Sequence, residues 1–256
     1  MKKLSFLLFM IALISTSQMF AQEDSTKVGT QSNVPAPTTK KGDYQKFKLG
    51  VYGDLGLSWL KPKSTEYESQ GSRFSYNYGL IVDINFTENY TFSTGINVNT
   101  YGGQLKYSDS LKLKPSDPVG VRGLMNRKYR ISYIEIPLFL KLKTNQMGYY
   151  TPFIQLGLRN DFRLSAFSDD EFIYGGTSKQ YEDVDIVDET AFYTLSFSVG
   201  IGTEYAISRS FSAYAILSYD NGLTSAINGE NYLLDGSVSK QSAMFKKFGL
   251  TIGFLF

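Results

Sequence analysis

Nine charged residues stand at positions where a charge calls for a partner. Asp54, Asp83, Glu135, Glu204 and Asp220, with Lys48, Lys141, Arg159 and Lys247, each fall on the polar side of a segment whose other side is apolar. Buried charges are tolerated when they are paired. Carboxylates of this kind would serve catalysis if a nucleophile and a base accompanied them, but the chain contains no His and no Cys. Serine hydrolysis with a His base and Cys-nucleophile chemistry are therefore excluded. A metal site would need carboxylates alone. The run Ser168-Asp169-Asp170-Glu171, with Glu182, Asp183, Asp185, Asp188 and Glu189 in the same predicted loop, could offer oxygen ligands to Ca2+. It lacks EF-hand spacing, and a solvated acidic loop is expected instead. We expect no enzyme activity, no metal and no cofactor. For the lumen cluster Asp54, Asp83, Glu135, Lys141, Arg159, Glu204, Asp220 and Lys247 we expect a paired structural plug. A narrow, gated ion path is the alternative.

Strands must position these residues. From Phe47 on, apolar residues recur with period 2, in eight segments. One face of the first carries Phe47, Leu49, Val51, Leu55, Leu57 and Trp59. The second carries Phe74, Tyr76, Tyr78, Leu80, Val82, Ile84 and Phe86. The third, about 90–107, carries Phe92, Ile96 and Val98. The fourth, about 129–143, carries Ile134, Ile136, Leu138, Leu140 and Leu142. The fifth, about 150–164, carries Ile154, Leu156 and Leu158. The sixth has Tyr193, Leu195, Phe197, Val199, Ile201 and Tyr205, and the seventh Phe211, Ala213, Ala215, Leu217 and Tyr219. The eighth is Phe248, Leu250, Ile252, Phe254 and Phe256. Short connections (87–89, 144–148, 206–210) alternate with long ones (about 60–73, 108–128, 165–190 and 224–244). That order predicts an all-β fold, an eight-stranded antiparallel up-and-down transmembrane β-barrel, with both termini on the short-turn side. In outer-membrane barrels that side is periplasmic and the long loops are extracellular.

Two features turn the apolar faces toward lipid. They contain no charge, which at the bilayer midplane would cost about 2–4 kcal/mol for Lys or Arg. The opposite faces are rich in Gly (Gly50, Gly56, Gly79, Gly95, Gly157, Gly200, Gly202, Gly249 and Gly253), which makes room for large polar side chains inside a narrow barrel. Trp59, Tyr90, Tyr101, Tyr107, Tyr129, Tyr149, Tyr150 and Tyr205 crowd the strand ends. An interfacial aromatic girdle is expected, with a carbohydrate-stacking site as the alternative.

The ends of the chain agree. An apolar/small alternation closing on Phe256 has the form of the signal by which barrel-assembly machinery takes up a last strand. At the other end Lys2 and Lys3 precede a short apolar stretch, Leu4 to Ile14, too short to span a membrane as a helix. Residues 1–21 are expected to be a secretory signal peptide, and 22–45, with Pro, Thr and charge but no periodicity, a disordered periplasmic linker. The barrel domain is then 46–256. Basic residues number 26 and acidic residues 24; without Lys2 and Lys3 the two balance, which argues against a nucleic-acid partner. The mean hydropathy of −0.19 excludes a helical membrane protein but not a barrel, in which only every second strand residue is apolar.

The segment Tyr133-Ile134-Glu135-Ile136-Pro137-Leu138-Phe139-Leu140-Lys141 resembles the YxEIPLxLK signature of an outer-membrane β-barrel domain common in Bacteroidetes, the PorT-like family. Residues 214–223 and 248–256 resemble its last two strands. The resemblance implies an eight-stranded outer-membrane barrel related to the small OmpX and OmpA type, and it raises a link to type IX secretion. Pro137 cannot donate to a ladder, so a bulge or local break is expected there, with Glu135 turned inward. The expected partners are outer-membrane lipid, barrel-assembly machinery, and a surface or secretion-complex protein. The expected role is a monomeric structural or interaction protein acting through its loops; a secretion-system component and a small porin-like channel are the alternatives.

Overall fold

The computed structural model describes residues 45–111, 120–208, 210–232 and 238–256. The expected signal peptide and all of the expected linker but Gln45 lie outside the described residues. Twelve strands follow in chain order: β1 (Phe47–Pro62), β2 (Glu68–Ser69), β3 (Arg73–Asn85), β4 (Tyr90–Leu111), β5 (Val121–Lys143), β6 (Tyr150–Tyr174), β7 (Thr177–Asp185), β8 (Tyr193–Ala206), β9 (Ser212–Gly222), β10 (Glu230–Tyr232), β11 (Val238–Lys240) and β12 (Ala243–Leu255). Eight of them, β1, β3, β4, β5, β6, β8, β9 and β12, form a ring in which each pairs antiparallel with the next, and β12 closes on β1. Closure removes the unpaired edges that lipid cannot hydrogen-bond. No helix among the described residues is long and apolar enough to cross a membrane.

The period-2 pattern places the apolar sets outside. Leu55, Leu80, Ile96, Leu138, Ile154, Ile201, Leu217 and Ile252 are all exposed, an arrangement that only a non-aqueous solvent rewards. Small residues on the inner face admit the charges. A Cβ on Gly249 would lie 2.6 Å from Asp54 Oδ2, and one on Gly253 would meet the Tyr214 ring at 2.6–2.7 Å. Neither site has room for a side chain.

Two expectations are corrected and a third is narrowed. First, much of the long connections is strand. β4 runs on to Leu111, β5 starts at Val121, and β6 continues to Tyr174 before turning through Gly175 and Gly176, both at positive φ, into β7. A spanning strand needs about 9–11 residues, whereas β4, β5 and β6 have 22, 23 and 25, so about half of each projects beyond the apolar band. Second, Tyr101, Tyr107 and Tyr129 are buried and not part of a girdle. They share parity with the inward Asn97, Asn99 and Glu135, and parity outweighs position near a strand end. The outward aromatics group elsewhere: Tyr150 and Tyr149 against Tyr205 and Phe211 on Phe254 at the short-turn end, Trp59 and Tyr219 on Phe248 at the other. Third, the bulge lies between Ser132 and Tyr133, opposite Leu164, and not at Pro137. The local break expected at Pro137 is present: the β4–β5 ladder is interrupted there without a register shift, since Thr94 pairs Leu138 and Asn97 pairs Glu135 on either side, and Glu135 is turned inward and buried.

Candidate functional site

The interior is a stack of apolar and ionic layers. At mid-barrel the buried Glu135 carboxylate of β5 accepts hydrogen bonds from Nδ2 of Asn99 (2.7 Å), Asn97 (3.2 Å) and Asn77 (3.3 Å), and from Arg159 Nη1 (2.7 Å). Arg159 Nε forms an ion pair with Asp220 Oδ1 at 3.1 Å, and that oxygen accepts a hydrogen bond from Ser198 Oγ at 2.5 Å. One planar guanidinium thus joins carboxylates of two strands while stacking 5.1 Å from the Phe139 ring. Lys247 donates to Asp54 across the β1–β12 seam, and Thr251 Oγ1 donates to Asp54 at 2.9 Å. Toward the short turns Lys141 Nζ donates to both oxygens of Asp83, at 2.7 and 3.0 Å, and Ser93 Oγ donates at 2.5 Å. At the rim Lys143 Nζ is 2.7 Å from Glu204 Oε1, and Lys48 is 4.0 Å from the other oxygen.

All eight residues of the predicted cluster therefore line the lumen, but in four separate groups. Lys143 and Asp161 were missed, although their parity with Lys141 and Arg159 would have found them. Asp161 is fully buried and neither carboxylate oxygen accepts a hydrogen bond. Together with Lys48 and Lys143 the lumen holds five cations and six carboxylates, and Asp161 is the one without a partner among the described residues. Since an unpaired buried charge is costly, Asp161→Asn is expected to leave the urea unfolding midpoint unchanged or raised. A fall in unfolding free energy of more than about 1 kcal/mol, the worth of an ordinary hydrogen bond, would mean that the carboxylate is engaged after all.

Apolar clusters lie on both sides of the mid-barrel ions. Ile81, Phe153, Tyr214, Ile216 and Leu255 fill the short-turn half. A cavity of about 20 Å³ beside Tyr52, Ile81, Arg159 and Thr251 has room for about one water molecule. The other half is filled by Leu60, Tyr101, Leu105, Tyr107, Met125, Tyr129, Ile131, Tyr133, Phe172 and Phe245, roofed by Ile186 and Ile227.

A second ionic group, unforeseen in the sequence, fastens that roof. Arg127 of β5 donates to both oxygens of Asp170 (2.8 and 2.7 Å) and to Glu189 of a single 3-10 turn, Val187–Glu189. Arg163 donates to the carbonyls of Val187 and Thr190 and to Thr190 Oγ1. Burial holds the phenols of Tyr107 and Tyr129 above their ordinary range, so they stay neutral beside Arg127. The predicted acidic loop is thus only partly solvated: Asp170 is buried, and Asp183 pairs with Arg130. Among the described residues no three acidic side chains converge as metal ligands. Arg127→Met is expected to leave the barrel intact and to speed amide exchange over residues 186–191. Unchanged exchange there would assign the cap's order to apolar packing alone.

The family model described as outer membrane protein beta-barrel domain matches residues 20–228. The chain belongs to this family. The family places the barrel in the bacterial outer membrane, so the exposed apolar band of the eight ring strands is its lipid-facing wall. No curated protein matches the chain significantly. Among solved structures the barrel is similar to the outer membrane protein OprG from Pseudomonas aeruginosa, at 11% identity and a TM-score of 0.42, covering 82% of this chain and 94% of that one. It is similar to Neisserial surface protein A at 10% identity and a TM-score of 0.40, covering 82% and 96%. The outer membrane protease OmpT from Escherichia coli is also similar, at 10% identity and a TM-score of 0.36, covering 87% and 99%.

Proposed function

We propose that this barrel is a non-enzymatic, non-conducting anchor that presents a rigid β-sheet to a protein partner at the cell surface. The observation that carries the proposal is the length of β4, β5 and β6. Their outer halves stay paired with one another, and β7 adds to β6 through Phe167–Tyr174. A sheet this ordered, with a cap fastened by two arginines, is more than a closed barrel needs. The orientation proposed is termini periplasmic and projecting sheet extracellular. The paired lumen charges and the apolar fill at both ends support a plug over an ion path. The resemblance of Tyr133–Lys141 to the PorT-like family supports the second reading, a part in type IX-like protein export.

The test is affinity purification from outer membranes in mild detergent, comparing the native chain with a variant in which residues 169–183 are replaced by a short turn. A partner captured at equal stoichiometry by the native chain and lost from the folded variant is the expected result. Equal capture by both, together with a secretion defect in a deletion strain, would favour export. Discrete conductance steps in a planar bilayer would overturn the plug.

A further inference from the structure

Among the described residues, the outer wall carries one cluster of cations without counter-charge. Just beyond the last outward aromatics of the β1–β12 seam stand Lys61 and Lys246, followed by the exposed Lys63 past the end of β1. In the register of the seam Trp59 faces Lys246 and Lys61 faces Met244, so Lys61 and Lys246 are diagonal neighbours on one face, close enough to interact. Like charges so placed repel. Among the described residues no ion pair forms at any of the three, and Lys246 Nζ reaches only the Tyr219 hydroxyl, at 3.3 Å. The opposite side of the mouth differs. There Arg130 is paired with Asp183, and Lys128 faces Asp169 in register. On β8 and β6 the corresponding outward positions hold Tyr193 and Phe162, which pack on each other.

We propose that Lys61, Lys63 and Lys246 form a docking site for the phosphate headgroup of an anionic lipid in the leaflet at the long-hairpin end. Three points argue for that occupant. The lysines stand at the edge of the apolar band, where a headgroup lies and water thins out. Trp59 and Tyr219 each pack on Phe248 immediately below the lysines, and Lys246 Nζ reaches the Tyr219 hydroxyl, so aromatics that cover acyl chain sit next to amines that can reach the phosphate. A single phosphate would relieve the repulsion among the three amines.

Trp59, the single Trp of the chain, faces Lys246 and reports on the site directly. The experiment places the full-length mature protein in zwitterionic lipid nanodiscs. It titrates phosphatidylglycerol brominated near the headgroup end of its chains against equally brominated phosphatidylcholine. The expected result is quenching of Trp59 at least threefold stronger per mole fraction for phosphatidylglycerol, falling as salt rises. The preference should vanish in Lys61→Gln/Lys63→Gln/Lys246→Gln, whose heat-modifiable migration confirms folding. Equal quenching by the two lipids in the native chain would overturn the proposal, as would a preference that survives the triple substitution. Nanodiscs expose both leaflets to the same lipid, so neither outcome depends on which way the barrel faces in the cell.

Discussion

Arg159→Met is expected to destabilise the barrel by about 3–5 kcal/mol, the usual cost of removing one partner from a buried ionic group. The expectation is specific to this side chain because Arg159 holds two carboxylates, Glu135 at 2.7 Å and Asp220 at 3.1 Å. Its loss leaves both buried among apolar layers with only amide and hydroxyl donors. Urea unfolding in lipid vesicles, followed by the emission of Trp59, measures the change. Adding Glu135→Gln to Arg159→Met removes one of the stranded charges and should recover part of the loss. The two substitutions are therefore expected to be strongly non-additive. A loss below about 1 kcal/mol, in the range of solvated surface pairs, would show that water reaches mid-lumen and would revive the ion path.

Leu250→Arg is expected to cost about 2–4 kcal/mol, because a cation on the lipid face is most costly at the bilayer midplane. Leu250 faces outward between Leu55 and Leu217, its register partners on either side. Phe256→Arg, at the end of the wall, is expected to cost only about 0–1 kcal/mol, since the penalty falls toward the interface. A barrel with a watery exterior would tolerate both. Equal and small effects at the two sites would therefore contradict a lipid-facing wall, independently of the family to which the chain belongs.

The ring of strands was legible because lipid outside and packing inside demand opposite chemistries at alternate residues. Ile134, Ile136, Leu138 and Leu140 declare their face by spacing alone, with no neighbouring strand needed. The same parity also held the inward Tyr101, Tyr107 and Tyr129, together with Lys143 and Asp161. Tyrosines near a strand end look alike whether they face lipid or lumen, unless they are counted from a residue of known direction such as Glu135. The Arg127–Asp170–Glu189 group was not legible. Its assembly requires β6 to slip by the one residue supplied at Leu164, and a bulge of this kind has no mark in the spacing. The cap depends in turn on Ile186 and Ile227, which come from separate connections and meet only once the barrel exists.

The Asp54–Lys247 pair joins residues 193 apart in sequence, one on the first strand of the ring and one on the last. Every other buried ionic contact of the mid-lumen can form within a growing sheet; this one waits for the first and last strands to meet. Until then its two charges keep their water, and an unclosed sheet carries a hydrated gap along its free edges. Shedding that water and zipping the final seam are thus a single event. A seam joined one residue out of step would set inward residues against outward ones and separate Asp54 from Lys247, so this pair is compatible with the native register alone.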